Sequence, residues 1–137
     1  MTVIQAISPI DGRVLGNFEV SRPEYIRQVV QSARSASKNW EAIETKQRSK
    51  ILGQFTKILL AEIDSVCAVI SQTTGKILTE ALLGEVYPVL DLAKYYEKHA
   101  ASILRDQGIV TAPFAFPGAT AEITRKPYGV VAIISPW

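Results

Sequence analysis

The first twenty residues alternate short apolar segments with turn-forming residues. Residues 3–7 and 14–20 are the two apolar segments, and Pro9, Asp11 and Gly12 lie between them. Proline fixes φ, glycine accepts positive φ, and aspartate bonds its own backbone, so each of these residues favours a turn. The pattern predicts a small β-hairpin.

Apolar residues then recur at the spacing of an amphipathic helix. They follow Ser21 and Glu24, whose separation matches a capping box, and Pro23 is well tolerated in a first turn. We expect a helix over about 23–39. Its apolar stripe consists of Ile26, Val29, Val30, Ala33, Ala36 and Trp40.

A second apolar stripe begins after Thr45, a possible N-cap, and is stopped by Gly75, a natural C-terminal cap. This stretch is longer than most globular helices, so we expect a break near residues 62–64, with Asp64 as a candidate cap. Cys67 lies on the stripe, where a small buried side chain is the expected role.

A third helical pattern covers about 79–104 and contains Pro88. A proline inside a helix removes a hydrogen bond and clashes with the preceding turn, at about 3 kcal/mol, so a kink or a new helix start is expected. Glu80, Glu85 and Asp91 are predicted to form a solvated face.

The pattern changes after Gly108. β-branched and aromatic residues without helical periodicity predict two antiparallel strands, about 109–116 and 120–126, around a turn at Pro117–Gly118. Residues 129–134 are apolar without alternation, which predicts a strand buried on both faces.

The order of elements predicts an α/β fold: a β-hairpin, three to four helices, a β-ribbon and one buried strand. A strand buried on both faces needs neighbours on both sides. No other segment of this sequence is a comparable partner, so we expect the architecture to be incomplete as it stands.

Composition excludes several classes of function. Net charge is only +2 and basic residues form no run, so nucleic-acid binding is not expected. No apolar stretch reaches the length of about 18 residues needed to span a membrane. The N-terminus lacks a signal-peptide pattern. Cys67 is the only cysteine, which precludes an internal disulfide and suits a cytoplasmic location.

Most familiar catalytic motifs are absent, including a Gly-rich dinucleotide turn, a P-loop and a nucleophile elbow. The only histidine, His99, is interpreted as a partly exposed surface residue, and Tyr95 and Tyr96 as packing residues. Cys67 has no basic neighbour in sequence that would activate it.

The remaining candidate site is the end of the chain, "ISPW". Ligands of open α/β sheets bind at the carboxyl ends of strands, which is where a loop after residues 129–134 would lie. The hydroxyl, the fixed turn and the indole of this loop could contact a ligand. An ordinary strand-ending turn is the alternative. The candidate residues are Ile134, Ser135, Pro136 and Trp137.

Several segments together resemble the aldehyde dehydrogenase family. "KPYGVVAIISPW" is similar to the family pattern P-x-G-V-V-x-x-I-[ST]-P-W-N, and "SPIDGRVLGNF" is similar to its N-terminal hairpin. "QRSKILGQFTKILLAEIDSVCAVISQTTGK" resembles the helical stretch that ends in "ETGK", and "GEVYPVLDLAKYYEKHA" resembles the next helix. Pro88 interrupts a helix that is usually continuous in the family.

The resemblance implies three parts. Residues 1–107 would be the hairpin and helical part of the coenzyme domain. Residues 108–127 would be the β-ribbon of the oligomerisation element, through which a homo-oligomer would form. Residues 128–137 would be the first strand and loop of a Rossmann-like sheet.

The same resemblance implies that Ile134, Ser135, Pro136 and Trp137 approach NAD or NADP, and that the substrate is an aldehyde oxidised to a carboxylic acid. The family's nucleophilic Cys and general-base Glu would follow Trp137, so this chain alone is expected to be inactive. The alternative is a truncated, non-catalytic module that pairs with a partner protein.

Overall fold

The structure is a computed structural model that describes residues 2–109, 115 and 117–135. It begins with the predicted hairpin, in which β1 (Val3–Ile7) pairs antiparallel with β2 (Val14–Glu19). The register shifts between Ala6 and Ile7, which is a β-bulge next to the turn.

Helix α1 spans Pro23–Ala42, as the apolar spacing predicts. The predicted capping box is wrong, because the N-cap is Arg22 and no side chain caps the helix. Pro23 is the first helical residue, where its fixed φ suits the helix and its missing N–H is not needed. Ser21 therefore lies one position too early to cap.

Helices α2 (Thr45–Ala61) and α3 (Ile63–Thr74) are separated at Glu62, so the predicted break is confirmed. Thr45 and Asp64 are not caps, because the N-caps are Glu44, one residue before Thr45, and Glu62, two residues before Asp64, and neither helix has a side-chain cap. Gly75 ends α3 with φ of 79°, and its N–H donates to the Ser71 carbonyl at 2.8 Å. This left-handed conformation is the predicted glycine cap.

The third helical stretch is divided as Pro88 predicts. Helix α4 (Leu78–Ala81) passes into a π-helical turn (Leu82–Val86), and α5 (Tyr87–Ile103) begins there. Pro88 has no N–H to donate to the Gly84 carbonyl. The N–H of the preceding residue, Tyr87, donates to the Leu82 carbonyl five residues back, which is the bonding pattern of a π-helical turn. Pro88 thus lies in the first turn of α5, where proline is tolerated.

The core of the described residues lies among these helices. Helix α2 packs along α5, and α3 packs against α4 and the π-helical turn. Cys67 is buried in this core, as predicted, and Glu80, Glu85 and Asp91 are exposed, as predicted. The buried apolar residues are Cys67, Ala81, Val86, Leu90 and Ala93.

A short antiparallel ribbon follows α5. β3 (Gln107–Ile109) pairs with β4 (Ala121–Ile123), with Gln107 opposite Ile123. The sequence predicts two antiparallel strands in this region; among the described residues, β3 overlaps the first only at Ile109, and β4 lies within the second. Much of the predicted strand 109–116 lies outside the described residues, and Gly118 has the positive φ of a turn.

Residues 129–134 do not form the buried strand that their apolar pattern predicts. The segment is in no strand, and Ile133 and Ile134 are 83% and 97% exposed. A strand is stabilised by hydrogen bonds to a neighbour, and no described residue pairs with this segment. The expectation of an incomplete architecture agrees with this exposure.

The mixed helix-and-strand architecture confirms the α/β class. The boundaries at 107/108 and 127/128 stay a prediction. Within the described ranges, no helix is both long and apolar enough to cross a membrane.

Candidate functional site

A turn at Gly129 sets the direction in which the segment 128–135 runs. Gly129 has φ of 90°, a conformation that L side chains rarely adopt, and it follows the fully exposed Tyr128. The turn brings Val130 and Val131 toward the apolar side of α1. Beyond them, residues 132–135 are exposed.

An open groove of about 540 Å³ lies between α1 and this segment. Helix α1 has no buried residue, so its apolar stripe is largely uncovered by the rest of the described chain. The groove contains no ionisable side chain and can hold an apolar surface without reacting with it. Its lining residues are Ala33, Ala36, Ser37, Asn39, Trp40, Ile43, Gly129, Val130 and Val131.

Two of the four predicted site residues fall within the described structure. Ile134 and Ser135 are both exposed, and neither forms a hydrogen bond with another described residue. Pro136 and Trp137 lie outside the described residues. Their predicted contact with a coenzyme stays a prediction.

The end of the described segment leaves backbone groups open to a partner. The backbone amides and carbonyls of Ile134 and Ser135 are unpaired within the described chain, so they can bond to a ligand or to a neighbouring strand. Ile134 and Ser135 do not line the groove, which is formed from this segment by Gly129, Val130 and Val131.

The other reactive side chains of the described structure have structural surroundings. Cys67 lies in the helical core. His99 is partly exposed, as predicted, and stacks on Tyr95 with ring centroids 4.6 Å apart. Tyr95 and Tyr96 pack edge to face at 5.4 Å, as predicted. Among the described residues, no cluster of His, Cys, Asp and Glu could hold a metal ion.

A second pocket was missed by the sequence analysis. Arg48, Arg125 and Lys126 line it together with Glu41. Glu41 lies at the end of α1, Arg48 near the start of α2, and Arg125 and Lys126 after β4, so no local sequence pattern connects them. Only the fold brings them together.

Comparison with known proteins identifies the family. The family model "Aldehyde dehydrogenase family" matches residues 1–137. The chain therefore belongs to the aldehyde dehydrogenase family, as its resemblance predicts.

Two curated relatives match nearly the whole chain. The 4,4'-diapolycopene aldehyde oxidase of a Methylomonas species is 53% identical over 137 residues, which are 100% of this chain and 26% of that protein. Aldehyde dehydrogenase [NAD(P)+] 1 of Saccharomyces cerevisiae is 28% identical over 135 residues, which are 98% of this chain and 26% of that protein. The chain thus spans about a quarter of the length of these relatives.

A solved structure agrees with both the family and the fold. Succinic semialdehyde dehydrogenase from Streptococcus pyogenes, in complex with NADP+ as the cofactor, is 27% identical and has a TM-score of 0.76. The match covers 86% of this chain and 25% of that one. The described helices and ribbon therefore have the arrangement found in the corresponding part of an aldehyde dehydrogenase.

Proposed function

We propose that this chain forms the N-terminal part of the coenzyme domain of an NAD(P)-dependent aldehyde dehydrogenase. The observation that carries the proposal is the exposed, unpaired segment 128–135 beside the uncovered stripe of α1, in a chain whose whole length matches the family. Both apolar surfaces would be buried by the remaining part of such a domain.

In this function the chain positions the coenzyme and does not react. The backbone of Ile134 and Ser135, with Pro136 and Trp137, would line the coenzyme site. NAD(P), when bound, supplies the hydride acceptor. In the family, a downstream Cys thiolate adds to the aldehyde carbonyl to give a thiohemiacetal, the carbonyl carbon then loses hydride, and water releases the carboxylic acid.

We further propose that the substrate of the assembled enzyme is a large apolar aldehyde. The support is the relative named for 4,4'-diapolycopene aldehyde, which is 53% identical across this region. We also propose a cytoplasmic enzyme, because Cys67 is a free thiol.

A fusion protein tests the proposed function. The chain would replace the matching quarter of the Methylomonas relative, and the chain alone would be assayed in parallel. We expect aldehyde-dependent formation of carboxylic acid with NAD or NADP from the fusion, and none from the chain alone. Turnover by the isolated chain, or a folded fusion that does not bind the coenzyme, would contradict the proposal.

Oligomerisation through residues 108–127 is part of the same proposal. The chain just after β4 is bonded to the chain just before β3, because Nη1 of Arg125 donates to the Arg105 carbonyl at 2.8 Å. Replacing residues 110–119 of the fusion by a short Gly-Ser turn should lower its mass in light scattering. An unchanged oligomer would exclude this ribbon as the interface.

The second candidate function is a non-catalytic module that pairs with a partner protein. The exposed apolar residues 131–134 favour it, because an uncovered extended segment is a surface for strand pairing. A folded monomer of the isolated chain, together with an inactive fusion, would support this candidate over the enzyme.

A further inference from the structure

A small basic pocket lies where the start of α2 meets the stretch between β4 and Gly129. Its volume is about 250 Å³, below the range of roughly 300–1,000 Å³ typical of sites for drug-sized ligands. It can therefore hold only a small group. The lining residues are Glu41, Thr45, Arg48, Leu104, Arg125, Lys126 and Pro127.

Arg48 is the least solvated charge in this pocket. Its Nη2 donates to the Thr45 hydroxyl at 3.0 Å, whereas its buried Nε has no hydrogen-bond partner among the described residues. A buried donor on a charged group that lacks an acceptor is destabilising. Because this Nε is shielded from solvent, an anion in the pocket would bond to the other guanidinium nitrogens of Arg48.

The charge in the pocket is also unbalanced. Arg48, Arg125 and Lys126 contribute three positive charges and Glu41 one negative charge, and none of the four is in an ion pair with a described residue. Arg125 is fixed by its bond to the Arg105 carbonyl, so its guanidinium is already held near the pocket. Two arginines and a lysine around a small space are suited to oxygen anions, because guanidinium groups bind them with paired donors.

We propose that this pocket binds a small oxyanion, namely a phosphate group or a carboxylate. The site is separate from the apolar groove of α1 and does not depend on the proposed coenzyme function. A bound anion would connect α2 to residues 125–127, and would thereby fix the direction in which the chain enters Gly129.

The test is calorimetric titration of the 137-residue chain with inorganic phosphate and, separately, with acetate, at constant ionic strength set with chloride. We expect saturable one-site binding of at least one of these anions. Phosphate binding without acetate binding would identify a phosphate site, and binding of both would identify a general oxyanion site. No saturable binding of either would overturn the proposal.

Three variants locate the bound anion. Arg48→Lys keeps the charge but loses the guanidinium, and we expect affinity to fall about tenfold. Lys126→Gln removes an exposed charge, so it leaves the fold intact and should weaken binding several-fold. Lys57→Gln is the matched control, because Lys57 is exposed on α2 outside the pocket. Equal weakening in Lys126→Gln and Lys57→Gln would show non-specific attraction and would overturn the site; if Arg48→Lys does not fold, this pair alone decides.

Discussion

The helices from α2 to α5 and the segment 128–135 both carry apolar side chains, but their surroundings are opposite. Leu90 of α5 is 6% exposed, whereas Ile134 is 97% exposed. A helix satisfies its own backbone hydrogen bonds and needs only one packing face, while a strand needs a partner for every residue. The difference shows which part of the chain can fold on local and helix–helix interactions and which part requires further structure.

The largest expected effect is the difference in stability loss between matched substitutions in the two regions. Leu90→Ala removes a core side chain and should lower the free energy of unfolding by about 2–5 kcal/mol. Ile134→Ala removes similar apolar bulk from an exposed position and should change it by less than about 0.5 kcal/mol. Urea denaturation followed by circular dichroism measures both. Similar losses in the two variants would show that the segment is packed in solution.

The local features of the helical region could be predicted from sequence, because a helix satisfies its own backbone hydrogen bonds. The break at Glu62, the glycine cap at Gly75 and the new helix at Pro88 depend on a few neighbouring residues. The exact caps are not predictable in this way, because residue type favours Ser21, Thr45 and Asp64, whereas the backbone places the N-caps one or two residues away, at Arg22, Glu44 and Glu62.

The segment and the basic pocket could not be predicted in the same way. The apolar pattern of residues 129–134 indicates a strand, but pairing depends on a partner that no local pattern supplies. Arg48, Arg125 and Lys126 are remote in sequence and meet only after α2 and the ribbon are placed. The predicted coenzyme contacts of Ile134, Ser135, Pro136 and Trp137 stay a prediction.

An intermediate effect is expected at Gly75, which lies beside the hairpin turn. Gly75 has a positive φ, and a Cβ there would lie 3.4 Å from the Pro9 side chain of the hairpin turn. Gly75→Ala should destabilise the chain by about 1–2 kcal/mol, because the left-handed conformation is unfavourable for alanine.

Gly84→Ala is the control for this substitution. Gly84 lies in the π-helical turn, and an added Cβ there would meet open space, so alanine should stabilise the chain by about 0.5–1 kcal/mol. Chemical denaturation measures both changes. A loss of stability in Gly84→Ala equal to that in Gly75→Ala would show that φ does not determine whether alanine stabilises or destabilises the chain.

The smallest expected effect concerns the hairpin turn. The Ser8 hydroxyl, followed by the Arg13 backbone N–H, holds the pKa of Asp11 below its ordinary value of 3.8. A carboxyl group whose pKa is lower in the folded chain contributes stability above its unfolded pKa, and this is lost as pH falls through the folded pKa. Asp11→Asn should therefore flatten the stability profile slightly below about pH 4 and leave its shape near neutrality unchanged.

Thermal unfolding between pH 2 and pH 7 measures this effect. An identical profile for Asp11→Asn and the unmodified chain would show that the turn carboxylate does not contribute.

The most direct test of the account is hydrogen exchange of the amides of residues 129–135, in the isolated chain and in the fusion with the remaining part of the Methylomonas relative. If these residues are an unfinished strand of an aldehyde dehydrogenase coenzyme domain, their amides should exchange rapidly in the chain alone and should be strongly protected in the fusion. Rapid exchange in a folded, coenzyme-binding fusion would contradict that claim, because the segment would then remain unpaired even when the rest of the domain is present.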